Sequence, residues 1–255
     1  MKLIALDSSG LTASAAILED DILLAEYTVN YKKTHSQTLL PMLDAVASMT
    51  ELDLSAVDAV AVTAGPGSFT GLRIGSATAK GLGLALDIPV IEVPTLAALA
   101  SNLWGASGLI APIMDARRNQ VYSGLYRFEG GRLITVRDQQ ALALTELIDE
   151  LKALNPSDGV IFLGDGVPVS RDLLDRELPV PHSYAPAQSN RQRAASAAVL
   201  ARRLYEEGRY VSADAHAPVY LRKSQAERER EKQLKTGDGP QDPFSQAARG
   251  RHGGA

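Results

Sequence analysis

The chain has 255 residues, 45% of them hydrophobic and 22% charged, with a formal net charge of −4 and no cysteine. That length suits one large domain or two small lobes, and the charge favours neither nucleic acid nor membrane as a direct ligand of the whole surface. Lack of cysteine excludes disulfides, thiolate metal sites and cysteine nucleophiles. No apolar run approaches the ~18 residues of a membrane span, and no signal-like apolar stretch precedes the first strand pattern at Lys2, so a cytoplasmic location is expected.

Leu3 to Leu6 predicts a short buried strand that ends in the turn Asp7-Ser8-Ser9-Gly10. Ala13 to Leu18 and Ile22 to Val29 flank Glu19-Asp20-Asp21 and predict a hairpin. Thr34 with Gln37 matches a capping box opening a helix to about Met49, with Pro41 inside it predicting a kink. Leu39, Leu43 and Val46 form one apolar stripe of that helix, and Met42 and Met49 lie on another flank, more apolar surface than one buried face needs.

The apolar run Ala59 to Ala64 predicts a buried strand, and Gly65-Pro66-Gly67-Ser68-Phe69-Thr70-Gly71 turns it into a helix reaching about Leu86. Ser68 or Thr70 can cap that helix, and a glycine-rich turn at a helix start is a potential anion site. It is not a Walker A loop, because Leu72-Arg73 follow where Lys-Ser/Thr would hold phosphate and Mg²⁺. Gly71, Gly75, Ala79 and Gly83 stand four apart on one helical face, with Ala77, Gly81 and Ala85 as a second row. Each interior Gly costs roughly 1 kcal/mol against Ala, so close packing must compensate, one row for the sheet and one for a neighbour. Pro89 to Val93 predicts a strand, and Thr95 caps a helix ending near Trp104-Gly105.

After Gly108 the pattern begins again. Leu109 to Met114 ends in Asp115, as Leu3 to Leu6 ends in Asp7; Val121 to Phe128 and Leu133 to Arg137 form a second hairpin. Thr145 opens a helix to about Leu154, Val160 to Leu163 is a strand, and a helix to about Leu178 follows Gly164-Asp165-Gly166. Strand, hairpin, helix, strand, helix therefore occurs twice. Ala194 to Glu207 is a helix closed by Gly208, Pro218 to Arg222 a last ordered segment, Ser224 to Lys235 a mixed-charge helical stretch, and Thr236 onward reads as disordered. The expected organisation is an N-terminal lobe over 1–104, a C-terminal lobe over 105–222 and a charged segment with tail over 223–255.

An acidic residue ending the first strand of each half is the arrangement of the actin, sugar-kinase and heat-shock-ATPase class, so the fold class is a duplicated α/β fold of two lobes, each a sheet with flanking helices. Asp7, Ser8, Gly67, Ser68, Thr70, Asp115, Arg117 and Arg118 are the candidate anion or cleft residues. Asp7 either positions a metal-bound water or serves as a turn acid; Arg117, Arg118 and Tyr122 line a cleft between lobes or form a solvated turn. His35, His182, His216 and His252 include no pair four apart, so no metal site and no cofactor are expected, and His35 caps its helix or meets a partner. No serine lies in Gly-x-Ser-x-Gly, and Ser68 has no identifiable base. An actin-class small-molecule kinase or ATPase using Asp7 and the Gly65 turn is the alternative to a non-enzymatic role; a metallopeptidase lacks ligands.

The run from Gly65 through Leu82 resembles, nearly residue for residue, the signature of the TsaB (YeaZ) family. His35-Ser36 with Leu39-Leu40-Pro41-Met42, Val93-Pro94-Thr95-Leu96 with Ala98-Leu99, Met114 to Arg118 with Val121-Tyr122, and Pro218 to Arg222 match as well, and Ser8 replaces the family's usual Thr. The resemblance covers Met1 to Arg222. It implies a catalytically silent relative of TsaD, which transfers a threonylcarbamoyl group to the adenosine next to the tRNA anticodon. TsaD's His-x-x-x-His metal motif is missing here. Implied partners are TsaD, the ATPase TsaE, a second copy when the chain is alone, and tRNA only through the complex. The resemblance places the interface on the two N-terminal helices, hence on His35, Leu39, Met42, Leu43, Val46, Gly71, Ile74, Gly75, Thr78, Ala79 and Leu82.

Overall fold

The computed structural model describes residues 1–31, 33–117 and 120–222. Arg118, the charged stretch Ser224 to Lys235 and the segment from Thr236 onward lie outside the described residues.

Two five-stranded sheets are built on one plan. β1 (Lys2–Asp7), β2 (Ala13–Glu19) and β3 (Ile22–Val29) form an antiparallel meander. β4 (Ala59–Gly65) and β5 (Val90–Pro94) add in parallel on the other side of β1, giving the order β3-β2-β1-β4-β5. β6 (Leu109–Asp115), β7 (Gln120–Glu129), β8 (Arg132–Ala143), β9 (Val160–Leu163) and β10 (His182–Tyr184) repeat it as β8-β7-β6-β9-β10. α1 (His35–Met49) and α4 (Leu144–Leu154) follow the hairpins, and α2 (Phe69–Leu86) and α5 (Val167–Glu177) follow β4 and β9. α3 (Thr95–Ser101) and α6 (Ala194–Glu206) come after the last strand of each half. This is the duplicated actin-like architecture.

Central parallel strands covered on both faces need apolar residues at every position rather than at alternate ones. β4 is accordingly buried along its whole length, and β1 from Leu3 onward. Alternation then decides which side each residue serves. Ile4 and Leu6 pack with Leu39, Met42, Leu43 and Val46 of α1 and Ala79 of α2. Leu3 and Ala5 pack on the other face against Ala194, Ala197, Ala198 and Ala201 of α6. Those four alanines follow an i, i+3, i+4, i+7 pattern, and their small side chains bring α6 close to the sheet. So α6, which lies in the expected second lobe by sequence, sits on the first sheet. Val211 extends this return by exchanging backbone hydrogen bonds with Val90, both 2.9 Å. Residues Met1–Leu221 form one compact unit.

Several local expectations change. Thr34 is the N-cap of α1, but its side chain accepts no capping bond; its carbonyl instead accepts from the Gln37 N–H at 3.0 Å. Pro94, not Thr95, caps α3, which ends at Ser101. β8 continues to Ala143, well past Arg137, because the residues beyond it keep strand alternation, Gln139 and Ala141 half-buried and Asp138 and Gln140 exposed, and pair with β7. At α4 the Glu146 carboxylate accepts the Ala143 N–H at 2.8 Å, which satisfies one of the orphan donors of the helix start.

Candidate functional site: two loops closed on each other

The expected cleft residues of the first half come from two strand ends. β1 delivers Asp7 and the turn Ser8 to Gly10, and β4 delivers the Gly65–Pro66 bond, which is cis, and the turn to α2. Ser68 caps α2 by accepting from the Gly71 N–H at 3.3 Å. Its own N–H, the kind of donor a helix-start anion site would offer, donates instead to the Ser9 carbonyl at 2.6 Å. Ser8 Oγ donates to the Gly71 carbonyl at 2.8 Å.

Steric contact seals the same seam. A Cβ on Gly67 would stand 2.3 Å from the Ser9 carbonyl oxygen, and one on Gly71 would stand 2.0 Å from that of Ser8. A Cβ on Gly75 would stand 2.5 Å from Ser8 Oγ. These glycines are required by close approach to the neighbouring turn, and one loop donor, the Ser68 N–H, is taken by that turn.

Asp7 is fully buried and its Oδ1 accepts from Ser9 N (2.9 Å) and Ser9 Oγ (2.7 Å). Its Oδ2 is buried without a hydrogen-bond partner among the described residues. Burial pushes its pKa above the usual carboxylate value, against the opposing pull of the two Ser9 bonds. Asp7 is thus bonded to its own turn and shielded from solvent. Thr70 is exposed, and His35 Nε2 hydrogen-bonds with the Gly10 carbonyl at 2.9 Å, fixing α1 to the same turn.

The second half repeats the arrangement. Asp115 ends β6, and its carboxylate accepts the Arg117 N–H at 2.7 Å while Arg117 holds φ 65°. The turn after β9 presses on β6: Gly166 N–H donates to the Ile113 carbonyl at 2.9 Å, and a Cβ on Gly164 would reach that oxygen at 2.2 Å. Asn190 Oδ1 accepts from the Gly164 N–H at 2.6 Å, and Arg191 donates to its carbonyl at 3.1 Å. Burial raises the Asp165 pKa beside these groups. Gln139 spans from β8 to the first half, donating to the Gly65 carbonyl at 2.9 Å.

The residues expected at an interface divide by burial. Leu39, Met42, Leu43, Val46, Gly71, Gly75 and Ala79 are buried in their own half, against the turn at Asp7 and the first sheet. The inner row of α2 packs on its own sheet, and Met42 joins the stripe of Leu39 and Leu43 instead of a separate flank. His35, Ile74, Thr78 and Leu82 are half-buried at the edge of that core. The accessible row is Arg73, Ala77, Gly81, Leu84 and Ala85, with Leu40 and Met49 of α1 also exposed.

One constellation has no motif in the sequence. Ser76 Oγ lies 2.6 Å from His216 Nε2, and His216 Nδ1 lies 2.7 Å from Glu92 Oε1. The order serine, histidine, acid is that of a nucleophilic triad, but the accessibility is reversed. Ser76 and His216 are buried and the glutamate is the end that meets solvent. A nucleophile must reach its substrate, so the arrangement works as a clasp. It holds the segment 211–221 across α2 and β5, helped by Lys80 donating to the Asp214 carbonyl (2.7 Å) and Val219 N–H donating to Ala64 O (2.7 Å). Beyond it Tyr220 packs on Phe69, with ring centroids 4.8 Å apart, and Arg73 covers the Phe69 ring. The residues lie 124 and 140 positions apart in sequence, which is why no spacing reveals them.

Against this geometry, a family model for TsaD, the tRNA N6-adenosine threonylcarbamoyltransferase, matches residues 23–230. The tRNA threonylcarbamoyladenosine biosynthesis protein TsaB of Bacillus subtilis is 34% identical over 229 residues, 89% of this chain and 96% of its own. TsaB of Escherichia coli is 29% identical, again over 89% of this chain and 96% of its own. The solved structure of YeaZ from Pseudomonas aeruginosa superposes with a TM-score of 0.73 at 30% identity, covering 86% of this chain and 99% of that one. The chain belongs to the TsaB (YeaZ) family of tRNA threonylcarbamoyladenosine biosynthesis proteins, within the wider TsaD-like family.

Proposed function

We propose that the chain is a non-catalytic subunit that pairs with TsaD, works with TsaE, and supports threonylcarbamoyl transfer to the adenosine beside the tRNA anticodon. It meets tRNA only through the complex and pairs with a second copy when alone. The observation that carries the non-catalytic reading is the closure of the two first-half loops. Ser68 N–H and Ser8 Oγ are bonded to protein carbonyls, and Gly67 and Gly71 leave no room between backbones. A nucleotide phosphate would need those donors and that space. The association surface in this reading is the outer row of α2, Ala77, Gly81 and Ala85, flanked by Ile74, Thr78 and Leu82 and by His35 and Leu40 of α1. Small residues there allow a partner helix to approach closely, in the manner of small-residue helix contacts generally.

Reconstitution tests this directly. With TsaD, TsaE, tRNA, ATP and a threonylcarbamoyl donor, modification is expected to require the chain, which by itself neither binds Mg-ATP tightly nor hydrolyses it. Tight stoichiometric Mg-ATP binding by the isolated chain would favour an actin-class kinase or ATPase instead.

A further inference from the structure

We propose that the groove between α6 and β8 is a docking site for a polypeptide segment of a partner protein, carrying an apolar anchor followed by carboxylates. α6 covers the face of the first sheet opposite α1 and α2. Its outer side leaves two adjoining depressions. One, about 300 Å³, is walled by Leu18, Leu23, Trp104, Phe128 and Val199. The other, about 860 Å³, runs on past Arg132, Tyr126 and Leu204. Leu133, Leu200 and Arg203 line both, so they form a single run with an apolar end and a charged end.

At the apolar end Trp104 is 73% exposed, and Leu23 and Val199 are exposed beside it. An indole and two aliphatic side chains around a depression of that size are the makings of an anchor pocket. At the charged end most charges cancel locally: Arg202 pairs with Asp21 and Glu206, and Arg209 with Glu207. Arg132 and Arg203 do not. Neither has a carboxylate partner among the described residues, and Arg203 donates only to the Gly131 carbonyl, at 3.2 Å, which brings it to the turn that carries Arg132. Asp138, which lines the larger depression, also has no ion-pair partner among the described residues, so the unpaired lining charges are two guanidiniums against one carboxylate; the guanidiniums, Arg203 in both depressions and Arg132 in the larger, select carboxylates on the ligand. The open, elongated form suits a chain segment. Because the groove lies across the sheet from α2, its occupation is compatible with the association surface assigned there.

Trp104 is the chain's one tryptophan, so its emission reports the groove without labelling. The probes are two synthetic peptides of about a dozen residues, each with a leucine and a phenylalanine followed by three acidic or, in the control, three lysine side chains. With the full chain, the acidic peptide is expected to give a saturable blue shift, at least tenfold tighter than the lysine peptide. Arg203→Glu should reverse the preference, and Val199→Asp should abolish the shift, with thermal melts of both variants unchanged. Absence of a saturable shift up to about 1 mM peptide, equal affinity for the two peptides, or indifference to both variants would overturn the proposal. So would a blue shift that follows protein concentration with no peptide present, which would make a second copy the occupant.

Discussion

On the inner face of α2, Gly71, Gly75 and Gly83 stand where a Cβ would meet Ser8, Val62, Ala213 or Val90 within 3.4 Å, and Ala79 between them is fully buried. On the outer face Ala77, Gly81 and Ala85 are exposed, and a Cβ on Gly81 would meet nothing within 4 Å. Both rows are built of Gly and Ala, in opposite surroundings. Small residues on the inner face are a condition of folding, since they let the Asp7 turn, the Gly65 turn and the helix share one volume. On the outer face Ala77 and Ala85 are good helix formers, and only Gly81 costs helix propensity, roughly 1 kcal/mol against Ala, with no close contact in the isolated chain to offset it. In the proposed reading, a partner helix accounts for Gly81.

That contrast can be broken most forcefully at Gly71. Gly71→Leu puts a side chain onto the Ser8 carbonyl, and overpacking against backbone is expected to cost about 3 kcal/mol or more. Urea denaturation is the measurement; wild-type stability in this variant would mean that the loops are not pressed together. His216→Ala is expected to cost about 2 kcal/mol, because it leaves the buried Ser76 hydroxyl without its partner and Glu92 Oε1 with only the long bond from the Ala217 N–H. Hydrogen exchange should then show 211–221 losing protection ahead of the first sheet. Uniform loss of protection would show that the clasp is not a local fastening.

Asp7→Asn should have the smallest effect, and its sign is set by pH. Burial raises the folded pKa of Asp7 above its ordinary 3.8, so the folded chain holds this proton more tightly than the unfolded one. The stability this provides is complete below 3.8 and is lost as pH rises through the folded pKa. Asn keeps an oxygen for the two Ser9 bonds and never ionises. Its melting temperature relative to wild type should therefore rise as pH goes from about 4 to 7. A difference independent of pH would show that Asp7 is not penalised by burial.

The sequence carried the duplication clearly, because element order and the acids Asp7 and Asp115 ending β1 and β6 repeat in both halves. Chain order was less informative about which sheet an element serves. The alanine stripe of α6 marks a buried face, yet nothing in it distinguishes the first sheet from the second; only the packed structure sets Ala194 against Leu3 and Ala5. The α2 rows were legible as a pair but not as inner and outer, since Gly and Ala carry no hydrophobic contrast for orientation to follow. Met42 was assigned to a separate flank, and it is buried with Leu39 and Leu43. The Ser76–His216–Glu92 clasp was out of reach because tertiary contact alone brings its members together.

The most direct test of the account is sedimentation of Gly81→Leu, alone and mixed with TsaD, alongside its thermal melt. An exposed helical Gly replaced by Leu should leave the fold intact and add up to about 1 kcal/mol of helix propensity. The side chain filling the outer row should meanwhile weaken association with TsaD, and with a second copy, at least tenfold, about 1.4 kcal/mol. A Gly81→Leu protein that melts like wild type and still sediments as the complex at wild-type affinity would contradict the assignment of the outer face of α2 to a partner.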